Sequence, residues 1–232
     1  MVNDKLIALS GVASTLQNQF DGSQYLAGLW RDDLRRQLKW YITDPLKTRL
    51  LFYRAPSWSW ASLDSSVLMR YMRSEYSNYL VEVLEAVTKP LGADPTGQVE
   101  SGYVQLSGPL LTVSLRRSAA MPRKFEIHVC GSWHSLNPSE DIWPDIDEKP
   151  PENLHAIPFN DNDYCDYLLV YPTNGRMKKG TFKRWGMMQL SYGDWDISKG
   201  DGWRIQWNEV KNEEWLEFEE DLGNGRYVVT II

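Results

Sequence analysis

Residues 53–64 read YRAPSWSWASLD. Pro56 excludes a helix interior and biases Ala55 toward an extended backbone. Alternate side chains of an extended chain share a face. Trp58 and Trp60 are therefore expected side by side, with Ser57 and Ser59 on the reverse and Tyr53 and Arg54 beside them. The stretch reads as a rigid aromatic plate, and it divides a helical beginning from a strand-rich remainder.

Upstream, Leu6, Leu9, Ala13, Leu16 and Phe20 recur every three or four residues, the spacing of one helical stripe, with Asn3 or Asp4 as its cap. Gly11 inside it costs roughly 1 kcal/mol relative to Ala and points to close packing against another backbone. A second helix is expected over Tyr25–Trp40, with Leu26, Leu29, Trp30, Leu34, Leu38 and Lys39 as a mixed stripe and Asp44-Pro45 as its stop. Downstream, Tyr79–Thr88, Tyr103–Leu115 (broken at Gly108-Pro109), Phe125–Cys130, Tyr164–Tyr171, Phe182–Ser191 and Arg226–Ile232 read as strands. The last of these, RYVVTII, needs a partner inside a sheet, because exposed it would aggregate. Residues 137–163, rich in Pro, Asp and Asn, read as a long loop. The expected architecture is one domain over 1–232, β-rich α+β. An antiparallel β-barrel or sandwich occupies 53–232, with two helices from the N-terminal segment 3–40 packed on it.

Among 232 residues stand 11 Trp and 12 Tyr, side chains that bury large surfaces and seek a partner for their polar atom. That excess suits a β-rich fold or a ligand cavity. A net charge of −6 argues against a nucleic-acid partner. Basic residues gather between Arg31 and Arg73 and acidic ones between Glu209 and Asp221. They form either two solvated faces or two regions that attract each other. Cys130 and Cys165 are too few for a disulfide framework and are expected as free buried thiols. With no signal peptide and no apolar run long enough for a membrane span, a cytoplasmic location is expected.

Familiar catalytic signatures are missing from the sequence. His128, His134 and His155 have no HExxH or paired-Cys spacing, so no metal is expected, and no Walker loop, GxGxxG or GxSxG elbow occurs. Asp163 and Asp166 would raise the pKa of Cys165 and disfavour it as a nucleophile. The residues singled out as catalytic are Arg54, Arg31 and His134. Trp30, Tyr53, Trp58, Trp60 and Trp133 are singled out as substrate-binding. The alternative is structural, with arginines stacked on tryptophans and paired with Asp32 or Asp64. As a site, these residues would hold an apolar, oxygen-bearing molecule by shape and a few polar contacts, without cofactor or metal.

The segments DKLIALSGVAS (4–14), YLAGLWRDDL (25–34) and YRAPSWSWASLD (53–64) together resemble the region that follows the HET domain in fungal heterokaryon-incompatibility proteins. DPTGQVESGYVQLSGPL (94–110) and the late YLLV, FKRWGMMQL and RYVVTII are similar to later parts of that region, in the same order. The HET domain would precede Asp4, so the resemblance implies a free-standing form of the tail and a fungal origin. It brings no catalytic set. Two function classes follow: a cofactor-independent cyclase or pericyclase (Diels–Alder type) of secondary metabolism acting on a terpenoid or polyketide, or a non-enzymatic interaction module with a protein partner. A hydrolase or isomerase stands behind both.

Overall fold

The computed structural model describes residues 4–17, 19, 22–69, 78–121, 124–129, 132–136, 141–160, 164–173, 175, 177–191 and 212–232. The first helix, α1 (Lys5–Gln17), forms as expected. It buries Leu6 and Ala13, while Leu9 is exposed. Lys5 Nζ donates to Leu63 O at 2.8 Å, and the Ser14 and Thr96 hydroxyls meet at 3.0 Å. Gly11 is not a close-approach point, since a Cβ there would meet nothing within 4 Å.

The helix expected over 25–40 is absent. In its place Tyr25–Leu26 (β1) and Leu29–Trp30 (β2) form a hairpin, followed by a 3-10 turn at Arg31–Asp33 and a single α-turn, α2 (Leu34–Gln37). Ala27 and Gly28 both take positive φ, 47° and 102°, the conformation of a two-residue hairpin turn. A Cβ on Gly28 would lie 2.7 Å from Trp60 Nε1. Packing of Trp60 onto the hairpin tip thus overrides the helical spacing of the leucines. A short ladder joins Trp40–Tyr41 (β3) to Leu68–Met69 (β4).

The body is one large sheet of β5 (Glu82–Pro90), β6 (Val99–Pro109), β7 (Leu111–Arg117), β8 (Phe125–Val129), β9 (Ser132–Leu136), β10 (Ile142–Pro144), β11 (Leu154–Pro158), β12 (Tyr164–Pro172), β13 (Thr181–Ser191), β14 (Glu220–Gly223) and β15 (Arg226–Ile231). Its order is β5-β6-β15-β13-β12-β11-β7-β8-β9, with β10 added to β13 and β14 to β15. The chain is β-rich α+β, as expected. The end strands β5 and β9 are not paired with each other, so the sheet is open and the closed-barrel alternative is set aside. Nor is it wholly antiparallel: Thr181–Phe182 run parallel to Thr230–Ile231. RYVVTII does pair inside the sheet, between β6 and β13. The expected corner at Gly108-Pro109 is where the chain leaves β5 and β15 for β8 and β11.

The central strands are covered on both faces. Ile157, Leu168, Val170, Phe182 and Met187 pack with Leu26, Leu34, Trp58, Val104 and Leu106. Leu154, Ala156, Tyr167, Leu169, Trp185 and Met188 pack with Leu111, Val113, Phe125 and Ile127. A strand buried on both faces shows no polar alternation, which is why β11 (LHAIP) was hidden in the long loop expected at 137–163. Within the described part of that loop, β10 and β11 are both fully buried strands. In β5 a bulge between Val83 and Glu85 resets the alternation. Val81 and Ala86 both point into the core, and Leu84 is exposed.

Two buried ion pairs hold the segment around β3 to the central strands. Arg184 Nε lies 3.1 and 3.3 Å from the Asp145 carboxylate oxygens. Its other nitrogens donate to Leu38 O (3.1 Å) and Trp40 O (2.6 Å), and its guanidinium sits 3.4 Å over the Trp40 ring. Lys39 Nζ lies 3.1 Å from Asp166 Oδ2, and Gln189 donates to the other Asp166 oxygen at 2.8 Å. Buried charges need this degree of satisfaction, because an unpaired one is costly.

Candidate functional site

The plate expected at 53–64 does not form. Pro56–Ser59 is a turn closed by Ser59 N–H to Pro56 O at 3.0 Å, and Trp60–Ser62 is a 3-10 turn. Ser59 Oγ accepts from Ala61 N at 3.0 Å, capping that turn, and donates to Ala27 O at 2.5 Å. Local hydroxyl-to-backbone bonds compete with strand geometry, and here they win. Trp58 is fully buried in the core, and its carbonyl accepts from Trp40 Nε1 at 2.8 Å. Trp60 donates to Gly28 O at 2.9 Å. Arg54 is buried, with Nε to Ala61 O and Nη2 to Leu63 O, both at 2.6 Å, and Asp64 3.8 Å away. Burial lowers its pKa from the ordinary arginine value, and Asp64 acts in the opposite direction.

Beside this structural knot lies a groove of about 570 Å³. Its wall is the loop Arg49–Ala55 with Ser57 and Ser62, and it faces Ser101–Tyr103 of β6, Met177, Lys183 of β13, and Ile232. Two close contacts seat the loop. A Cβ on Gly102 would fall 2.9 Å from Pro56 Cγ, so Pro56 lies directly on β6. Ser57 N–H donates to Ile232 O at 3.0 Å, its hydroxyl donates to the same oxygen, and Arg184 N–H donates to that hydroxyl at 3.0 Å. Ser57 thereby occupies the edge of β13 between its contacts with β15 and β10.

The groove is apolar with a cationic margin. Leu51 is fully exposed, and Phe52, Tyr53 and Met177 are 41%, 53% and 53% exposed. Burial of the rest of Tyr53 pushes its hydroxyl up to about 12, which leaves it a hydrogen-bond donor at neutral pH. Arg49 is engaged, donating to Arg184 O at 2.7 Å and lying 3.7 Å from Asp145. Ser62 Oγ is buried without a hydrogen-bond partner among the described residues. The sequence signal for this surface is the run Leu50-Leu51-Phe52, apolar and outside any periodic element, and it is fainter than that of the neighbouring tryptophans.

Tyr53 and Arg54 line the groove. Trp30, Arg31, Trp58, Trp60, Trp133 and His134 do not. Arg31 donates to Ala86 O of β5 at 2.6 Å, covering part of an edge strand. Trp30 stands edge-on to Tyr25 at 5.1 Å. Trp133 and His134 lie on β9, at the opposite end of the strand order. There Arg116 stacks 3.9 Å over the Trp133 ring, which also meets His128 at 5.2 Å. The eight singled-out residues therefore do not converge.

Two other candidates are structural. His155 accepts from Glu217 N–H at Nε2 (3.1 Å) and faces Asn153 O through Nδ1 (3.0 Å), which fixes a neutral ring. Burial lowers its pKa to about 4. The Cys165 thiol is raised to about 12, by burial first and with Asp166 adding to it, and it donates to Asn160 O at 2.7 Å. Cys130, Asp163 and Arg73 lie outside the described residues. Among the described residues no three of His, Cys, Asp and Glu gather as a metal site, and no helix is long and apolar enough to cross a membrane. Set against models of known families, curated proteins and solved structures, the chain finds no match in any of the three.

Proposed function

We propose that the protein, as a relative of the region that follows the HET domain, binds an apolar, oxygen-bearing small molecule in the groove beside Tyr53. The observation that carries this reading is the exposed run Leu51–Tyr53 facing a groove of about 570 Å³, a size and lining suited to small ligands. The activity that fits is a cofactor-independent cyclisation of Diels–Alder type in fungal secondary metabolism. The apolar wall would hold a polyene terpenoid or polyketide in its reactive conformer, and one donor would polarise its carbonyl. Arg54 is engaged by the backbone, so that donor is Tyr53 or Lys183. A second reading, a non-enzymatic interaction module, is favoured by the outward exposure of Leu51 and Met177, which a protein partner would cover.

The test is incubation with polyene precursors, followed by chromatography for cyclised isomers of unchanged mass, with Tyr53→Phe and Leu51→Ser run alongside. Isomers that diminish in those variants support the cyclase. Binding of the precursors without turnover leaves the groove as a ligand site and removes the enzyme. A folded protein that binds none of them overturns the small-molecule reading and leaves the protein-partner one.

A further inference from the structure

We infer that the groove selects anionic amphiphiles, a monocarboxylate whose charged end meets Lys183 and whose apolar chain lies over Leu51, Phe52 and Met177. The inference rests on the groove being a ligand site. The lining side chains include Arg49, Arg54 and Lys183 and no Asp or Glu, and the carboxyl oxygen that Ile232 brings to it accepts from the Ser57 N–H and hydroxyl. Two of these cations are already answered. Arg54 is held by two carbonyls with Asp64 close by, and Arg49 is held by Arg184 O. Asp145, however, is shared by the guanidiniums of Arg184 and Arg49, so one negative charge faces two positive ones. The side chain of Lys183, exposed on β13 next to Arg184, has no hydrogen bond or ion pair among the described residues.

A surplus of positive charge in a groove with apolar walls attracts anions. A lone ammonium recognises a compact charge without the bidentate geometry of arginine. The Tyr53 hydroxyl, protonated at neutral pH, supplies a second donor on the facing loop. Apolar surface at Leu51, Phe52 and Met177 around the same groove calls for a ligand that is mostly hydrocarbon. Together these features describe a carboxylate on an apolar chain better than a neutral or cationic ligand.

The experiment titrates the full chain with decanoate, decanol and decyltrimethylammonium by calorimetry, at low and high salt. Decanoate should bind about fivefold more tightly than decanol, the gain of one exposed ion pair, with the advantage shrinking as salt screens it. Lys183→Gln should remove that advantage and its salt dependence, so that decanoate binds no more tightly than decanol, and Lys183→Arg should retain it. Met177→Ser should weaken both ligands. If decanol binds as tightly as decanoate, or the ammonium ion binds best, charge selection is wrong and the groove remains a ligand site. If a chain with unchanged melting temperature binds none of the three, both this inference and the ligand-site reading fall.

Discussion

Segments 50–53 and 54–63 are consecutive in the chain and opposite in their surroundings. In the second, Arg54 is spent on the Ala61 and Leu63 carbonyls, Ser59 on Ala27 and Ala61, and Trp58 is sealed in the core. In the first, Leu51, Phe52 and Tyr53 are turned outward over a groove. Tyr53 apart, the residues of this stretch that stand out in the sequence are the ones already used by the fold, while the unremarkable leucine and phenylalanine at 51 and 52 remain available to a ligand. Distinctive composition marks where the chain is most constrained, and a ligand surface needs the opposite, side chains whose contacts are not yet satisfied.

The contrast is broken most forcefully at Trp58. Trp58→Ala should cost about 3–5 kcal/mol, the usual range for deleting a buried aromatic ring, read as a lower urea midpoint. Decanoate affinity per folded molecule should be unchanged; a selective loss of binding at full stability would show that the knot is itself the site.

Next in size is the effect of pH. The His155 pKa falls from 6.5 to about 4 on folding, so the unfolded chain takes up a proton that the native one refuses. Stability is full above pH 6.5 and is lost between 6.5 and about 4, by about 2 kcal/mol at pH 5. Urea unfolding at pH 7.5 and pH 5 should show this drop, and His155→Gln should flatten it. An equal slope in the variant would place the pH dependence elsewhere.

The smallest expected effect is at the rim. Leu51→Ser should change stability by less than about 0.5 kcal/mol, because the side chain is fully exposed, yet weaken binding of an apolar ligand. A large fall in melting temperature would mean that 50–53 belongs to the knot after all.

Much of the sheet was legible from local pattern. Strands β12, β13 and β15 fall within a residue or two of the expected spans, since their apolar runs are long and bounded by Gly, Pro or Asn. The failures have separate causes. Leucines at helical spacing in 25–40 were bent into a hairpin by Trp60 standing on Gly28. Alternating tryptophans were pulled out of an extended run by the Ser59 cap. β10 and β11, buried on both faces, carried no alternation to read. Of the candidate site, Tyr53 was legible as an aromatic beside an arginine. Lys183 and Met177 were not, because they are distant in sequence and meet the loop only through β13 and its neighbours.

Local chemistry alone settles that this chain is strand-rich, that α1 forms, and that RYVVTII is buried in a sheet, because hydrophobic periodicity and backbone preference act over a few residues. Which face of each element is used, and where a groove opens, is decided by contacts between residues far apart in the chain. Pro56 on Gly102, Ser57 between Ile232 and Arg184, and Arg184 on Asp145 set the wall of the groove. None of these pairs is visible from either partner's neighbours, and without them the Leu50–Tyr53 run would be an ordinary apolar stretch.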